Sequence, residues 1–315
     1  MERMSDLRDT AVRGLARDGR VRLLACVTTQ LVNELQRRHE TWPVATAALG
    51  RTASVAAMMA TDLKGEERLT VQVKGDGPLG AIVVDADSAG HVRGYVQHPQ
   101  VHLPANAVGK LDVGGAVGRG MLYVLRDMGL REVYRGGVEL RSGEIGDDFA
   151  YYFAASEQTP SSVGVGVLVD TDNTVICAGG FIVQLLPGHT LEDIDWVESR
   201  VRSLASVTDL LKEGAGARDL AKIVLPGTEV LDERPLRFRC TCSRQRLRGI
   251  LQSMGQEELW DMIDSQGGAE VVCHFCAQVY RFTADELAAM AEELESGHDL
   301  LPREGMVRDN GRDEP

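Results

Sequence analysis

The chain has 315 residues, 43% of them hydrophobic, and a formal net charge of −13, with a pI near 5.1. Length and apolar content suffice for buried cores in two or three domains, while the acidic balance excludes a phosphate-binding surface spread over the molecule, since nucleic-acid binding draws most of its affinity from neutralising phosphates. Met1-Glu2-Arg3-Met4-Ser5-Asp6 lacks the apolar core of a secretory signal and no uncharged apolar run reaches the ~18–20 residues needed to cross a bilayer, so the expected address is the cytoplasm, where clustered cysteines serve metal or redox chemistry rather than structural disulfides.

Residues 20–187 read as mixed α and β, punctuated by glycine turns. A strand is expected over 21–27 and a helix over 29–39. A second helix starts after Pro43 and runs through the alanine- and methionine-rich stretch 44–63; its small residues permit close approach, and Arg51 argues against a membrane span. Alternating segments at 69–74, 81–84, 92–96 and 121–125 are joined by turns carrying Asp76-Gly77, Ala89-Gly90 and Gly114-Gly115. Antiparallel hairpins and meanders are therefore expected rather than βαβ units. A helix over 145–157 brings Tyr151, Tyr152 and Phe153 together, and strands 163–170 and 175–186 flank a turn at Asp172-Asn173. Cys26 and Cys177 sit inside apolar runs and read as small buried core residues.

After Pro187-Gly188, Thr190 and Asp193 have the spacing of an N-cap and its third-position acid. Apolar residues then fall at Ile194, Val197, Val201, Leu204 and Leu211, with Thr208 in the same row, describing one amphipathic helix over 190–213. Gly214-Ala215-Gly216 breaks it, and a shorter helix over 218–224 ends at Pro226-Gly227. The chain beyond Gly297 is rich in acids and poor in apolar residues, the composition of a disordered tail. The expected class is α+β: an N-terminal mixed core with a largely antiparallel sheet over 1–187, a helical linker over 188–232, a small C-terminal zinc-binding domain over 233–297, and the acidic tail over 298–315.

Several motifs fail their chemistry. Gly75-Asp76-Gly77-Pro78-Leu79-Gly80 matches G-x-G-x-x-G, but Ala81-Ile82-Val83-Val84-Asp85, immediately after it, is a strand and not the helix whose N-terminus would face a pyrophosphate. A hairpin turn is expected there. The sequence holds no G-x-x-x-x-G-K-[ST], no H-E-x-x-H and no G-x-S-x-G. Asp170-Thr171-Asp172-Asn173 lacks the glycine and distal glutamate of a calcium loop, and nothing in the first 230 residues supports an enzyme active site.

The remaining four cysteines carry the strongest signal. Residues 234–242 alternate apolar and polar, so a strand is expected to deliver Cys240 and Cys242 to one side, residues two apart pointing the same way. Cys273-His274-Phe275-Cys276, between strand-like segments 269–272 and 278–282, presents two more sulfurs from a tight turn. The 30 intervening residues hold two helical patterns, one with Leu247, Ile250, Leu251 and Met254, the other with Leu259, Met262 and Ile263. Thr283-Ala284-Asp285-Glu286 then opens a helix as a capping box, with Leu287, Met290 and Leu294 inward. About 65 residues with so few apolar groups make a marginal core that needs metal. Zinc fits four sulfurs best, with an iron–sulfur cluster as the lesser fit and His274 as an alternative donor.

Four thiolates leave no open coordination position for catalysis. Three readings stand: a purely structural zinc; a zinc ribbon for nucleic acid, using Arg237, Arg239, Arg244, Arg246 and Arg248; and a redox switch, because the same arginines favour the oxidisable thiolate. A disulfide needs Cα atoms within about 6.8 Å, so closing a Cys-X-Cys bond distorts an extended strand, and strained disulfides are the labile, regulatory kind. Oxidation would also remove the ligands on which the module's folding depends. A thiol oxidoreductase built on Cys-His-Phe-Cys would need a thioredoxin-like βαβ context, which 269–282 lacks.

Cys240-Thr241-Cys242-Ser243 with Cys273-His274-Phe275-Cys276, Ser156-Glu157-Gln158-Thr159-Pro160-Ser161, and Val71-Gln72-Val73-Lys74-Gly75-Asp76-Gly77-Pro78-Leu79 together resemble the redox-regulated 33 kDa chaperonins, the heat shock protein 33 family. The resemblance covers about residues 1–297, in the family's domain order. It implies an ATP-independent holdase that is inactive when reduced and zinc-bound, and is activated by oxidants such as peroxide or hypochlorite. It further implies pairing of Cys240 with Cys242 and of Cys273 with Cys276, loss of structure in the linker helix, exposure of apolar surface to unfolding clients, a homodimer when active, and hand-over to ATP-dependent foldases. The candidate client-binding face is the row Ile194, Val197, Val201, Leu204 and Leu211.

Overall fold

The computed structural model describes residues 8–107, 109–129 and 133–298; the acidic tail, from residue 299 on, lies outside them. Contacts divide the chain into two compact units at Cys240/Thr241. The first unit opens with β1 (Thr10–Ala16), β2 (Val21–Val27), α1 (Thr29–His39) and α2 (Pro43–Met59). Next come β3 (Arg68–Gly75), β4 (Ala81–Asp87), β5 (His91–Val96), the short α3 (Val113–Val117), β6 (Gly120–Asp127), β7 (Tyr134–Glu139), α4 (Gly146–Ala155), β8 (Ser161–Val169) and β9 (Val175–Leu185). It ends with α5 (Leu191–Arg202), α6 (Val207–Lys212), α7 (Ala217–Val224), β10 (Glu229–Pro235) and β11 (Arg237–Phe238).

Two sheets result, in the orders β10-β1-β2-β9-β8 and β11-β5-β4-β3-β6-β7. All pairings are antiparallel except β11 on β5. Helix α2 packs on strands of both sheets and is buried along most of its length, which is why its residues are small. A Cβ on Gly50 would lie 2.7 Å from Val32 Cγ1 and 2.9 Å from Val167 Cγ2, so the helix could not approach so closely with a larger residue there. The five-stranded sheet is covered on both faces, and the sequence of β2 reflects it. Leu24 and Cys26 join the cluster around α2, while Leu23, Ala25 and Val27 join a second cluster beneath α6 and α7, so the strand reads as a continuous apolar run rather than an alternation.

The mixed α+β class and the antiparallel hairpins hold. Gly75–Gly80 is a hairpin turn, with Lys74 opposite Ala81 in the ladder, and Asp170–Asn173 is a turn closed by Asp170 N donating to Thr174 O at 2.8 Å. Other expectations are corrected. Gly114-Gly115 lies in α3, because the Asp112 carboxylate caps it by accepting from Gly115 N at 2.9 Å. The single helix over 190–213 is two helices: the chain leaves α5 at Ser203, and Ser206 Oγ starts α6 by accepting from Asp209 N at 3.2 Å. The strand over 234–242 is interrupted. Pro235, which has no N–H for a ladder, ends β10, Leu236 turns into the core, and β11 covers only two residues, leaving Cys240 and Cys242 outside regular structure. Strands β1 and β7 are additions to the expected set, and β7 is disguised by its Gly136-Gly137 pair, which looks like a turn. A Cβ on Gly136 would come within 2.9 Å of Tyr152 Oη, so the strand uses glycine to admit the aromatic helix α4.

The second unit comprises α8 (Arg244–Met254), α9 (Gln256–Gln266), the hairpin β12 (Gly268–Val272) and β13 (Val279–Thr283), and α10 (Ala284–His298). Its buried apolar cluster is small: among the described residues, Leu247, Leu251, Leu259, Phe282, Leu287, Met290 and Ala291. Gly267 in the left-handed region ends α9. The capping box forms, Thr283 N donating to Glu286 Oε2 at 2.9 Å and Glu286 N to Thr283 Oγ1 at 3.3 Å. Among the described residues no helix is long and apolar enough to cross a membrane.

Candidate metal centre

The first pair of sulfurs is delivered by a short docked segment. Arg237 N donates to Gly90 O at 3.0 Å and Arg239 N to Val92 O at 3.2 Å, tying β11 to β5 immediately before Cys240. On the far side of the pair, Ser243 in extended conformation N-caps α8, its Oγ accepting from Arg246 N at 3.2 Å. The Cys-X-Cys pair is therefore held at both ends, by a strand before it and a helix start after it.

The second pair comes from the turn between β12 and β13. Cys273 O accepts from Cys276 N at 3.3 Å and from Ala277 N at 2.8 Å, and Cys273 N donates to Gln278 O at 3.0 Å. Ala277 takes a positive φ of 56° to close the turn, a small side chain tolerating that conformation better than a branched one. The result brings Sγ of Cys240, Cys242, Cys273 and Cys276 within 4.8 Å of one another, with Cys276 buried and the other three half-buried. Cys242 and Cys276 sulfurs are 3.3 Å apart.

A tetrahedral zinc with Zn–S near 2.3 Å requires sulfurs roughly 3.8 Å apart. The four-sulfur cluster is of that size, and His274 contributes no ligand atom to it. The donor set therefore fits a structural zinc, with all four positions filled by protein.

Two neighbours of the sulfurs were not foreseen. The Tyr280 hydroxyl lies 3.3 Å from Cys242 Sγ, and this hydrogen bond pushes its pKa up to about 12. Hairpin register would have found it, since Tyr280 lies on β13 just beyond the turn that carries the second pair. Arg93 Nη1 lies 3.7 Å from Cys240 Sγ while its other nitrogens hold Asp85 Oδ2 at 2.8 and 3.0 Å. That contact spans 147 positions in sequence, and no local pattern announces it.

Two of the five arginines near the first pair are matched by acids and two meet His91. Arg244 pairs with Glu286 at 2.6 Å and Arg248 with Glu293 at 2.5 Å, while Arg237 Nη2 meets His91 Nε2 at 2.9 Å. Around α5 and α6, Val197 and Leu211 are buried and Val201 and Leu204 partly buried against β1, β2 and β9 residues, while Ile194 is half-buried. Val207 and Leu210, absent from the sequence-derived row, pack into the same cluster. Asp193 anchors α5 at its start: Arg17 Nε and Arg20 Nε each donate to its carboxylate at 2.7 Å, and Thr190 N donates at 2.9 Å, holding it well below the usual carboxylate range. Cys26 and Cys177 are buried as read. Burial pushes both thiols up, Cys177 to about 11.

Comparison with known proteins agrees with this architecture throughout. The family model described as Hsp33 protein matches residues 9–283. The 33 kDa chaperonin of Desulforamulus reducens is 49% identical over 291 residues, 92% of this chain and 99% of the relative. That of Bacillus subtilis is 50% identical over 287 residues, 90% and 99%. The crystal structure of the 33 kDa chaperonin, a heat shock protein 33 homolog, from Thermotoga maritima superposes with a TM-score of 0.86 at 35% identity, covering 92% of this chain and 99% of that one. With a family model matching residues 9–283 and relatives half identical over nine-tenths of its length, the chain belongs to the Hsp33 family.

Proposed function

We propose that the protein is a redox-regulated, ATP-independent holdase chaperone of the cytoplasm, inactive when reduced and zinc-bound. The observation that carries this reading is the convergence of the Cys240, Cys242, Cys273 and Cys276 sulfurs to within 4.8 Å, three of them from a unit whose buried apolar cluster is small. Its family membership and relatives named 33 kDa chaperonin support the chaperone activity. Cys240, Cys242, Cys273 and Cys276 would hold the zinc, whose ligation would supply folding energy to residues 241–298.

The switch is oxidation of the ligands. Cys240 with Cys242, and Cys273 with Cys276, each give two electrons to one molecule of peroxide; an S–S bond forms, the O–O bond breaks, and two protons from the solvent complete two waters per disulfide. Sulfurs joined in disulfides no longer ligate, so the second unit loses the cross-link that compensates for its small core. The linker then leaves the five-stranded sheet. That step uncovers the row Val197, Val201, Leu204 and Leu211, with Ile194, together with the sheet residues Leu23, Ala25 and Phe181 beneath the linker helices, an apolar surface for unfolding clients. The active form is a homodimer, and clients pass to ATP-dependent foldases.

A peroxide titration at mild heat tests this, reading zinc release with a chromogenic chelator and aggregation of an unfolded client on one sample. The expected result is zinc release tracking suppression of aggregation. Equal suppression by the reduced protein, or zinc retained through oxidation, sinks the switch.

A further inference from the structure

The segment that leads into the cysteines is itself seated like a bound peptide. Residues 236–239 lie along the β5 edge in parallel register, Arg237 opposite His91 and Phe238 opposite Val92, with two ladder bonds to Gly90 O and Val92 O. Side chains alternate as they do in a strand-addition complex. Leu236 is buried in the core, and Phe238 packs against it with the Arg38 guanidinium of α1 4.2 Å above its ring. Arg237 and Arg239 reach His91 Nε2 at 2.9 and 3.4 Å, and His91 Nδ1 is held by Asp87 Oδ2 at 2.9 Å. Gly90 at φ +80° belongs to this seat, because a Cβ there would sit 2.2 Å from Pro235 O.

This attachment is short beside its neighbour. β10 pairs with β1 from Thr10 opposite Pro235 to Leu15 opposite Glu229, whereas β11 pairs at two positions only and ends two residues before Cys240. Pro235 separates the two, so 236–239 can leave while β10 stays. Its departure bares an unpaired sheet edge beside two vacated apolar sites, a template for another extended chain.

We propose that the β5 edge, with the α1 face bearing Arg38, is a docking groove for extended segments of unfolded protein, and that residues 236–239 fill it in the resting state as an internal substitute. The preferred occupant repeats the chemistry seated there: an aliphatic residue, then a basic one, then an aromatic to lie under Arg38, then a second basic residue toward His91 and Asp87. The proposal rests on the chaperone reading for its physiological trigger, and the groove can be opened without oxidation.

The test uses a fluorescent, end-blocked peptide of residues 233–239 and the full chain carrying Leu236→Asp with Phe238→Ser, kept reduced. This variant is expected to bind the peptide about tenfold or more tighter than the reduced wild type does, and Phe238→Ala in the peptide or Arg38→Ala in the protein weakens binding about tenfold. An opened variant that keeps hydrogen-exchange protection in β3 and β4 yet binds no better than the reduced wild type overturns the groove, as does equal binding of the Phe238→Ala peptide. Should the variant lose that protection, oxidised wild type replaces it, with the peptide competing against an unfolded client. Oxidised protein that suppresses aggregation but does not take the peptide removes the groove and leaves the chaperone reading standing. Peptide binding to the opened variant without suppression by the oxidised protein does the reverse.

Discussion

The unit ending at Cys240 and the unit beginning at Thr241 keep their folds by different means. In the first, Tyr152, Phe149, Leu23, Leu24, Leu49 and Met58 are wholly buried, α2 packs on both sheets, and Cys26 and Cys177 sit deep in apolar surroundings. The second has a small apolar cluster around Leu259 and Leu287 and carries three of the four gathered sulfurs, those of Cys242, Cys273 and Cys276. A single core of fewer than about 70 residues seldom supplies more than about 3–5 kcal/mol, whereas ligation of a structural zinc by four thiolates is worth about 10–16 kcal/mol. The same element therefore has opposite meanings in the two places. Cys26 and Cys177 are small hydrophobes of the first core, whereas Cys240, Cys242, Cys273 and Cys276 form a donor set at the small second one.

Removing a ligand is the largest expected break in that comparison. Cys273→Ser should abolish stoichiometric zinc and strip amide hydrogen-exchange protection from α8, α9 and α10, while β2, β3 and α2 keep theirs. Cys26→Ala should leave zinc content unchanged, because Cys26 is buried in the first unit, its Sγ against the Ser54 carbonyl. Protection retained in α9 without zinc would show that the second unit stands on its own core and that metal loss cannot transmit a signal by unfolding it.

A matched pair of cavity mutations sharpens the contrast at smaller scale. Leu49→Ala and Leu259→Ala each empty a fully buried site, and each costs about 2–5 kcal/mol. In the first unit that loss is spread over a large cooperative core and lowers Tm without unfolding it. In the second it rivals everything the apolar cluster supplies, so Leu259→Ala should lower the peroxide concentration at which half the zinc is released, though it touches no ligand. Equal midpoints for wild type and Leu259→Ala would mean that ligand chemistry alone sets the threshold.

Helix α5 belongs to the first unit, and its anchor is electrostatic. Asp193 is held below its ordinary pKa of 3.8 chiefly by Arg20, then by Arg17. A depressed carboxylate stabilises the fold above its unfolded pKa, and that contribution is lost as pH falls toward the folded value. Exchange protection in α5 should therefore fall as pH drops below about 4, more steeply in wild type than in Asp193→Asn, which lacks the titrating group. Parallel pH curves for the two proteins would show that the arginine contacts do not hold α5 down.

How much of this was legible depended on whether the determining contact was local. The hairpin at Gly75–Gly80 was readable because a strand comes directly after the glycines, and the Cys273–Cys276 turn because its two strands flank it. The break between α5 and α6 was hidden because Val197, Val201, Leu204 and Leu211 keep a helical rhythm across it, and only the Ser206 cap reveals the new start. The strand expected at Cys240 was wrong for a local reason, Pro235, and for a distant one, the β5 edge, on which Arg237 and Phe238 alone of this segment pair. Arg93 beside Cys240 and Arg17 and Arg20 on Asp193 join positions more than 140 residues apart, which no periodicity encodes.

The smallest effect comes from two capping boxes of the same design, one in each kind of surrounding. Thr190 caps α5 with Asp193 in return, and Thr283 caps α10 with Glu286 in return. Replacing either threonine by alanine costs about 1 kcal/mol. In α5 that loss falls on a helix already fixed by Arg17 and Arg20, and Thr190→Ala should raise local exchange without moving the zinc-release midpoint. In α10 it falls on a unit with little to spare, where Glu286 also holds Arg244 of α8 at 2.6 Å. Thr283→Ala should therefore lower the chelator concentration that removes half the zinc by about fivefold, the factor that 1 kcal/mol sets in an equilibrium. Zinc affinity indifferent to Thr283 would mean that the metal site does not draw on the fold around it, and that the coupling from sulfur to helix runs by another route.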